Sequence, residues 1–492
     1  MLNGSALLAQ IASVVQSIVV MRLIVPGMYG IWLGLTIILT YGGLAHLGSE
    51  HGLGIRLPYF RGKRQQVRAD AMANSVFIAW TLLTILIAVG IAAYAALSEN
   101  LSAPVRHGLF AVSLLLPLNQ QSSFYSRWQG AALTDFKLSS ILSVVKSWTS
   151  LLIMVPLVYF LRLDGLMIGS VAVAAIVYIG WRKASPYRFR RAWSPALFWQ
   201  ALRVGLPMTL VVLGGGLIQS VDRIVIVSLL GATSLGYYGV TNLGGAVVYG
   251  LLAQAGSAMG PHITVEMGRS ADRPASLRKF LVAPTVAFAY VSAFAVSALI
   301  VAIPALVILL LPQYIPGLRA FLVYVPGFFF MSIILTANTI LTLVLIARRK
   351  QRIALFVQGG AIAIEAALAF LMVRGGLGLP GVAAASTIAY AFYGVSILWL
   401  AAIEVLGGRA DAAGFVMRVM TPAVIMFPAM IVTHVAIGRL MPNHLFGGVG
   451  LQLLVLALLA ALLLRLLNQQ VSVRTVATDF WGSVSGRARR MT

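Results

Sequence analysis

Cysteine is absent from the chain and acidic residues are scarce, with 12 Asp and Glu against 36 Lys and Arg among 492 residues. The lack of cysteine excludes disulfides, thiol chemistry and thiolate metal sites. Charged residues of both signs make up only 10% of the chain, whereas 60% is hydrophobic. No G-x-x-x-x-G-K phosphate loop occurs, which argues against a built-in ATPase.

Long charged loops are also missing. No H-E-x-x-H motif and no carboxylate cluster occur in a segment long enough to form an outer domain. A membrane-embedded polysaccharide polymerase or ligase would be expected to have such a segment, so its absence argues against an enzyme of this kind.

About fourteen apolar stretches run from Ser5 to Leu467, and Lys and Arg fall on alternate linkers between them. The even-numbered linkers and the C-terminal end from Arg465 hold 27 of the 36 basic residues. Because Lys and Arg are retained on the cytoplasmic side, this alternation predicts an all-α polytopic membrane protein with both termini cytoplasmic. Fourteen spans of about 20 residues would use most of the chain. We interpret the formal charge of +24 as topology rather than nucleic-acid binding, with contacts to anionic lipid headgroups as a secondary role.

The fourteen predicted spans follow from these apolar stretches. In order they are Ser5–Leu23, Tyr29–Leu47, Met72–Leu97, His107–Ser126, Ser139–Leu161, Gly165–Trp181, Val204–Leu230, Leu235–Met259, Phe280–Leu311, Ala320–Ile346, Ile353–Val373, Val382–Glu404, Thr421–Leu440 and Gly447–Leu467.

A basic, proline-containing linker after span six divides these spans into two blocks of six. A weak internal echo supports a repeat: Gln16-Ser17 precedes Pro26–Gly30, and Gln219-Ser220 precedes Leu235–Gly239. An even number of spans per block gives both lobes the same orientation, with a pseudo-twofold axis along the membrane normal. The predicted organisation is an N-terminal lobe at 1–181, a cytoplasmic linker at 182–203, a C-terminal lobe at 204–404, two extra helices at 405–467 and a cytoplasmic tail at 468–492.

Asp222 and Arg223 lie within span seven, where a charge costs from about 2.5 kcal/mol upward. Gln219 lies three and four positions earlier, so its side chain would reach either residue on a helix. The three glycines Gly214–Gly216 just upstream would permit a bend. Two interpretations stand: a structural Asp–Arg contact that holds span seven to a neighbouring helix, or an anion-binding Arg223 that Asp222 orients or gates.

Lys146 lies in span five on a polar stripe with Ser139, Ser143 and Ser150, spaced at three and four residues. Such a stripe is expected to face protein or a wet cavity, although Lys near a helix end can also extend to the membrane surface. Arg22 ends span one and Arg203 precedes span seven. Both are candidate substrate-binding residues, and extension to the membrane surface is the competing explanation.

Polar residues in span four and an acid in span eleven complete the candidate site. Asn119 and Gln121 would hydrogen-bond hydroxyl-rich groups, or would join helices, since polar side chains bridge membrane helices. Glu365 lies near the middle of span eleven. It is predicted to take part in gating or ion coupling, with a neutral structural acid as the alternative.

Three segments carry a resemblance to a known group. They are Met21–Gly30 between spans one and two, Gly205–Leu210 at the start of span seven, and Asp222-Arg223 followed by Leu235–Gly239. Together with the helix count and topology, they make the chain resemble the Wzx-type polysaccharide flippases of the multidrug/oligosaccharidyl-lipid/polysaccharide exporter superfamily. The resemblance implies a two-lobed carrier that moves undecaprenyl-pyrophosphate-linked oligosaccharides from the inner to the outer leaflet of the bacterial inner membrane by alternating access. It places Arg22 and Arg223 near the central cavity and assigns the two extra helices to a groove for the lipid tail.

The implied partners are a lipid-linked oligosaccharide, membrane lipids, a polysaccharide polymerase and chain-length machinery, with no nucleic acid. We expect no cofactor and leave coupling to the membrane potential, protons or sodium open. A multidrug/cation antiporter of the same superfamily is the main alternative. It would be expected to have an acid in span one, which has none, and the remaining charges within spans are mainly basic.

Overall fold

The computed structural model describes residues 2–133, 137–190, 192–248, 250, 274–347, 351–440 and 445–470, without some side chains next to these gaps. The end of predicted span eight, most of the basic linker after it and residues 471–492 of the predicted tail lie outside the described residues. Within the described ranges, every regular element is a helix. The predicted all-α class is confirmed.

Fifteen helices are described, and two short 3-10 turns join some of them. The helices are α1 (Leu2–Leu23), α2 (Pro26–Gly42), α3 (Ser49–Gly62), α4 (Gln66–Leu97), α5 (Ala103–Leu133), α6 (Lys137–Ala184), α7 (Pro195–Ile218), α8 (Val221–Leu229), α9 (231–248), α10 (Pro274–Leu310), α11 (Leu318–Ala347), α12 (Gln351–Arg374), α13 (Gly378–Leu406), α14 (Arg409–Leu440) and α15 (Leu445–Gln470). The 3-10 turns are Gly43–His46 and Pro312–Gly317.

Ten helical segments of the described chain are long and apolar enough to cross a membrane. One of them, Lys137–Ala184, holds both predicted spans five and six, so the ten segments account for eleven of the fourteen predicted spans. Span one is the shorter apolar helix Ala9–Leu23, span four lies in the more polar α5, and span eight is partly undescribed. The chain is therefore a multi-pass membrane protein, as predicted.

Spans five and six match the prediction, whereas span seven differs from it. The range α6 holds two helices that meet at a kink at Arg162, with φ 53° and ψ −122°, between the predicted end of span five and the predicted start of span six. A non-glycine residue in this region is strained. The guanidinium of Arg162 donates a 2.7 Å hydrogen bond to the carbonyl of Leu23 at the end of α1, and this contact stabilises the bend. Span seven, in contrast, breaks into α7 and α8 at Gln219 and Ser220.

The basic segment after span two is a helix, α3, rather than the linker that charge alone predicted. Leu53, Leu57 and Phe60 repeat at helical spacing and are buried. This apolar face packs α3 against α4, α5 and α7. Gly48 and Gly52 allow the close approach, because a side chain at either would overlap the backbone of α7 at Leu206 or Ala201.

Two compact units make up the fold, Met1–Gly236 and Tyr237–Thr492, called here the N-terminal and C-terminal units. Helices α7 and α8 belong to the N-terminal unit, although the predicted lobe division assigns them to the second lobe. Compact packing units need not coincide with lobes related by a repeat. The division at residues 182–203 therefore stays a prediction.

The segment between α6 and α7 is short and anchored within the N-terminal unit. Its Tyr187 is buried in an aromatic cluster that includes Phe77, Phe124 and Trp128. The Tyr187 hydroxyl donates a 2.8 Å hydrogen bond to Asn74 of α4, and burial raises the pKa of this phenol above its usual range. The basic linker is thus held against the helices that it follows.

The C-terminal unit has its most extensive helix packing where α13 meets α11 and α12. Small residues of α13, among them Ala385 and Ala389, are fully buried. Tyr324 of α11 donates a 3.2 Å hydrogen bond to the Tyr390 hydroxyl. Small side chains allow membrane helices to approach closely. Close van der Waals contact stabilises helix association in lipid, where burying apolar surface gives no hydrophobic driving force.

Candidate functional site

The break between α7 and α8 forms the first part of the candidate site. Gln219 and Ser220 leave the helix after the glycines Gly214–Gly216, which lower helix propensity. The Ser220 hydroxyl donates to the carbonyl of Gly216 and accepts a 2.8 Å hydrogen bond from Tyr41 of α2. The break is therefore held in place against α2, and discontinuous membrane helices often provide substrate or ion sites.

Asp222 and Arg223 follow this break in the first turn of α8. The Asp222 carboxylate is 4% exposed, accepts the Arg223 backbone N–H at 2.7 Å and lies 3.9 Å from Arg223 Nε. Arg223 Nη2 donates a 2.7 Å hydrogen bond to the carbonyl of Gln219. The predicted Asp–Arg contact exists but lies within one helix. Gln219 contributes its backbone oxygen rather than the side chain that was predicted to reach Arg223.

The Arg223 side chain is 27% exposed, in contrast to the buried Asp222. In the described structure its Nε atom is buried and has no hydrogen-bond partner. Because Nε is buried, a ligand would meet the exposed part of the guanidinium rather than this atom. This arrangement suits an anionic ligand that approaches the exposed part of the guanidinium.

Lys146, Arg22 and Arg203 are exposed on three different helices of the N-terminal unit, α6, α1 and α7. The two settings predicted for the polar stripe of Lys146, against protein or in a wet cavity, stay predictions. Of that stripe, Ser143 is exposed as well and Ser150 is buried. The predicted substrate contacts of these three cations stay predictions.

The amide residues of α5 join helices. Gln121 Nε2 donates a 2.5 Å hydrogen bond to Thr81 of α4, and its neighbour Gln120 accepts one of 2.6 Å from the Trp80 indole N–H. Gln120 also donates to the carbonyl of Gly43. Asn119 is half-buried. The structure thus shows the helix-joining role that was considered beside sugar binding, and sugar binding by Asn119 or Gln121 stays a prediction.

Glu365 belongs to the C-terminal unit, where its residue is 0% exposed on α12. Gln358, two turns earlier on the same helix, is also buried, and α12 packs against α13. A polar face of α12 therefore lies inside the unit. Gating or ion coupling by Glu365, or by Asp222, stays a prediction.

A second polar cluster, which sequence reasoning missed, lies where α2 passes into α3. Glu50 is 13% exposed and lies between two cationic or potentially cationic groups. Its Oε1 accepts a 2.8 Å hydrogen bond from Arg127 Nε and lies 2.5 Å from Arg127 Nη2. Its Oε2 lies 3.1 Å from His46 Nε2. One carboxylate thus joins α3, α5 and the 3-10 turn before α3.

His51, the next residue of α3, contacts α7. Its Nδ1 lies 3.1 Å from the hydroxyl of Thr209, which donates to the carbonyl of Gly205. Burial lowers the pKa of His51, the nearby Glu50 raises it and Arg127 lowers it further. The sequence signal for this cluster was the close spacing of three titratable residues, His46, Glu50 and His51. Because basic residues follow them, the segment was assigned to a linker.

Neither a protein-family model nor a curated protein matches the sequence. Among solved structures, the chain is similar to the inward closed conformation of the lipid II flippase MurJ. The TM-score is 0.67 and the identity 12%, over 96% of this chain and 99% of that one. It is also similar to an inward-facing multidrug resistance MATE family transporter of the MOP superfamily, with a TM-score of 0.59 and 16% identity over 83% and 95%.

A third structure is a MOP superfamily transporter from Pyrococcus furiosus Vc1 (DSM3638), with a TM-score of 0.50 and 15% identity over 83% and 96%. At such identities the likeness shows the fold alone. The chain has the fold of MOP superfamily transporters and flippases. The resemblance predicted from Met21–Gly30 and the segments after Gly205 is confirmed at that level.

Proposed function

We propose that the protein is a flippase for undecaprenyl-pyrophosphate-linked oligosaccharides, which it moves from the inner to the outer leaflet of the bacterial inner membrane. In this proposal both termini are cytoplasmic and the exported unit serves the synthesis of exopolysaccharide, capsule or O-antigen. The fold supports a carrier of this kind, since a lipid II flippase of known structure shares it. A polymerase and chain-length machinery would then use the exported unit.

The observation that carries the proposal is Arg223 at the α7–α8 break. A charge within a membrane span costs from about 2.5 kcal/mol upward. Part of that cost is offset by Asp222 and Gln219, while part of the guanidinium side chain stays exposed to a ligand. Arginine presents its donors in a planar fork that fits phosphate oxygens. A diphosphate headgroup is therefore a suitable ligand.

The remaining predicted residues fit the same cargo. A diphosphate-sugar headgroup does not cross hydrocarbon unaided, because each unpaired polar group costs several kcal/mol. Exposed cations such as Arg22, Lys146 and Arg203 would replace part of the lost hydration of the phosphates. Asn119 and Gln121 would face the sugar hydroxyls, while the polyprenyl tail stays in lipid.

Translocation in proteoliposomes tests the proposal. Vesicles that contain the purified chain and a fluorescent undecaprenyl-pyrophosphate-linked oligosaccharide should show loss of leaflet asymmetry at a rate that protein-free vesicles lack. Arg223→Gln should abolish this activity, and Arg223→Lys should retain part of it because the charge remains. Arg439→Gln makes the same change at an exposed end of α14 and should flip as the wild type does. Wild-type flipping by Arg223→Gln would remove the residue from the site.

A multidrug/cation antiporter is the second candidate, favoured by the buried acids Asp222 and Glu365 and by the likeness to a MATE family transporter. In the same vesicles, this alternative predicts uptake or efflux of a cationic dye driven by a proton or sodium gradient. Glu365→Gln should then abolish dye transport. Dye transport without movement of the lipid-linked sugar would replace the flippase proposal.

A further inference from the structure

Arg127 of α5 carries a charge that the proposed site above does not use. Its side chain is 48% exposed, whereas that of its partner Glu50 is 13% exposed. Nε and Nη2 of the guanidinium both approach Glu50 Oε1, at 2.8 Å and 2.5 Å. One oxygen of an acid thus occupies two donors of an arginine that solvent or a ligand can reach.

His46 determines how Glu50 is held on its other side. The backbone N–H of Gly48 donates a 3.0 Å hydrogen bond to His46 Nδ1, so this nitrogen is an acceptor and carries no proton. The ring proton is then on Nε2, which lies 3.1 Å from Glu50 Oε2. A neutral His46 satisfies this geometry, so Arg127 balances the charge of Glu50.

Arg127 can separate from Glu50 without leaving the carboxylate devoid of polar contacts. Removal of one partner from a buried ion pair is costly because the other charge remains unsolvated. Glu50 would keep its 3.1 Å contact with His46 Nε2, and His46 is itself held by Gly48. Arg127 would move only within its exposed surroundings, where solvent screens its charge.

A phosphate group offers Arg127 a better ligand than the present contact. Arginine and phosphate form two parallel charge-assisted hydrogen bonds, and a diphosphate carries more charge than one carboxylate. Beside the pair, His51 and the Thr209 hydroxyl bring further polar atoms to the same part of α3 and α7. The ligand class indicated is a phosphate-bearing anion.

We propose that Arg127 binds the diphosphate of the cargo headgroup and that Glu50 is its counter-ion in the empty protein, displaced when the diphosphate binds. The identification of the diphosphate as cargo rests on the proposed function. Glu50 thereby sets the affinity, because each phosphate must compete with its carboxylate. The exchange involves no covalent step.

Titration calorimetry with inorganic pyrophosphate tests this exchange, on the full chain in nanodiscs of zwitterionic phosphatidylcholine. Glu50→Gln should tighten pyrophosphate binding by about tenfold, which corresponds to ~1.4 kcal/mol, because the competing charge is gone. Arg127→Gln should weaken binding at least as much. Asp164→Asn is the matched control, since it removes a carboxylate from the exposed His107–Asp164 pair, and should bind as the wild type does.

Arg127→Lys covers the case in which Glu50→Gln or Arg127→Gln fails to fold. It keeps the charge opposite Glu50 but lacks the planar fork, so pyrophosphate affinity should fall while the thermal unfolding temperature is retained. A purely structural ion pair predicts the opposite: loss of thermal stability in the Glu50 and Arg127 variants with unchanged pyrophosphate affinity. That result, or pyrophosphate binding by neither the wild type nor Glu50→Gln, overturns the inference.

Farnesyl diphosphate and nanodiscs with phosphatidylglycerol separate the sources of the anion. If farnesyl diphosphate binding changes in the Glu50 and Arg127 variants, the anion is a lipid-borne diphosphate. If only the binding of inorganic pyrophosphate changes in these variants, the anion is a free one. Phosphatidylglycerol could also compete with pyrophosphate to the same extent in the wild type and in the Glu50 and Arg127 variants. That result counts against a phosphate site at Arg127. Lack of oligosaccharide flipping with intact pyrophosphate exchange would refute the proposed function and leave the Arg127 site in place.

Discussion

Gly30 of α2 lies directly against the carbonyl group of Ala232 in α9. A Cβ atom on Gly30 would overlap that carbonyl and would crowd the backbone nitrogen of Gly236. Gly236 in turn lies against the carbonyl of Pro26, so the approach is close from both sides. Pro26–Gly30 and Leu235–Gly239 are the two segments whose similarity suggested a repeat, and the first lies against the start of the second.

Gly30→Ala should destabilise this contact, because a methyl group has no space beside backbone atoms that cannot turn away. Overpacking of this kind costs typically 1–3 kcal/mol, so we expect a lower thermal unfolding temperature in detergent. Gly90→Ala is the control, since nothing lies within 4 Å of a Cβ at Gly90 of α4. The control should be unchanged or stabilised by about 0.5–1 kcal/mol. Equal unfolding temperatures for the two variants would contradict the packing.

Tyr187→Phe should weaken the attachment of the segment between α6 and α7. The variant loses the 2.8 Å hydrogen bond to Asn74 but keeps the aromatic packing. Asn74 Oδ1 still accepts the backbone N–H of Arg190, so the expected cost is about 0.5–1.5 kcal/mol. Thermal unfolding measures it against Tyr159→Phe, the same change at a residue that is 61% exposed. A Tyr187 variant as stable as the Tyr159 control would show that the buried hydroxyl contributes nothing.

Acid should destabilise the N-terminal unit through His51 of α3, which lies outside the candidate membrane spans. Burial lowers the pKa of His51 below its ordinary value of 6.5, so the unfolded chain binds a proton before the folded one does. The contribution of neutral His51 to the free energy of unfolding is therefore fully present above pH 6.5. It is lost as the pH drops from there towards the lower pKa of the folded state. Unfolding temperatures between about pH 7.5 and pH 5.5 should fall less for His51→Gln than for the wild type.

The control for the acid experiment is His107→Gln, because His107 is 56% exposed in its pair with Asp164. It should retain the pH dependence of the wild type. If His51→Gln and His107→Gln follow the wild-type curve equally, the protonation of His51 does not govern acid stability. Glu50 and Arg127, the charges that face His51, remain unchanged in both variants.

The membrane potential should assist export if the cargo carries its diphosphate across without a neutralising cation. Moving one negative charge outward in a negative-inside cell releases about 2.3 kcal/mol per 100 mV, and two charges roughly twice that. In proteoliposomes, clamping the potential at zero with valinomycin and equal potassium should slow flipping at constant proton and sodium gradients. A flipping rate that ignores the potential would exclude this energy source and leave protons or sodium to be tested.

The sequence could predict contacts only between residues that are neighbours along the chain. Asp222, Arg223 and Gln219 lie within five positions, so one helical turn brings them together, and the glycines before them predicted the bend. The prediction missed Glu50 because its partner Arg127 is 77 residues away. Both residues were counted with cytoplasmic linkers, since charge next to a basic segment is typical of topology.

The apolar runs and the alternating Lys and Arg determined by themselves that the chain is an all-α, multi-pass membrane protein, because the cost of burying backbone and charge in lipid acts on each segment separately. Tertiary packing decided which charges meet. It covered the Leu53, Leu57 and Phe60 face of α3 with α4, α5 and α7 and set Glu50 between His46 and Arg127. Hydrogen bonds and ion pairs act over about 3 Å, and no property of the separate segments specifies which of them come that close.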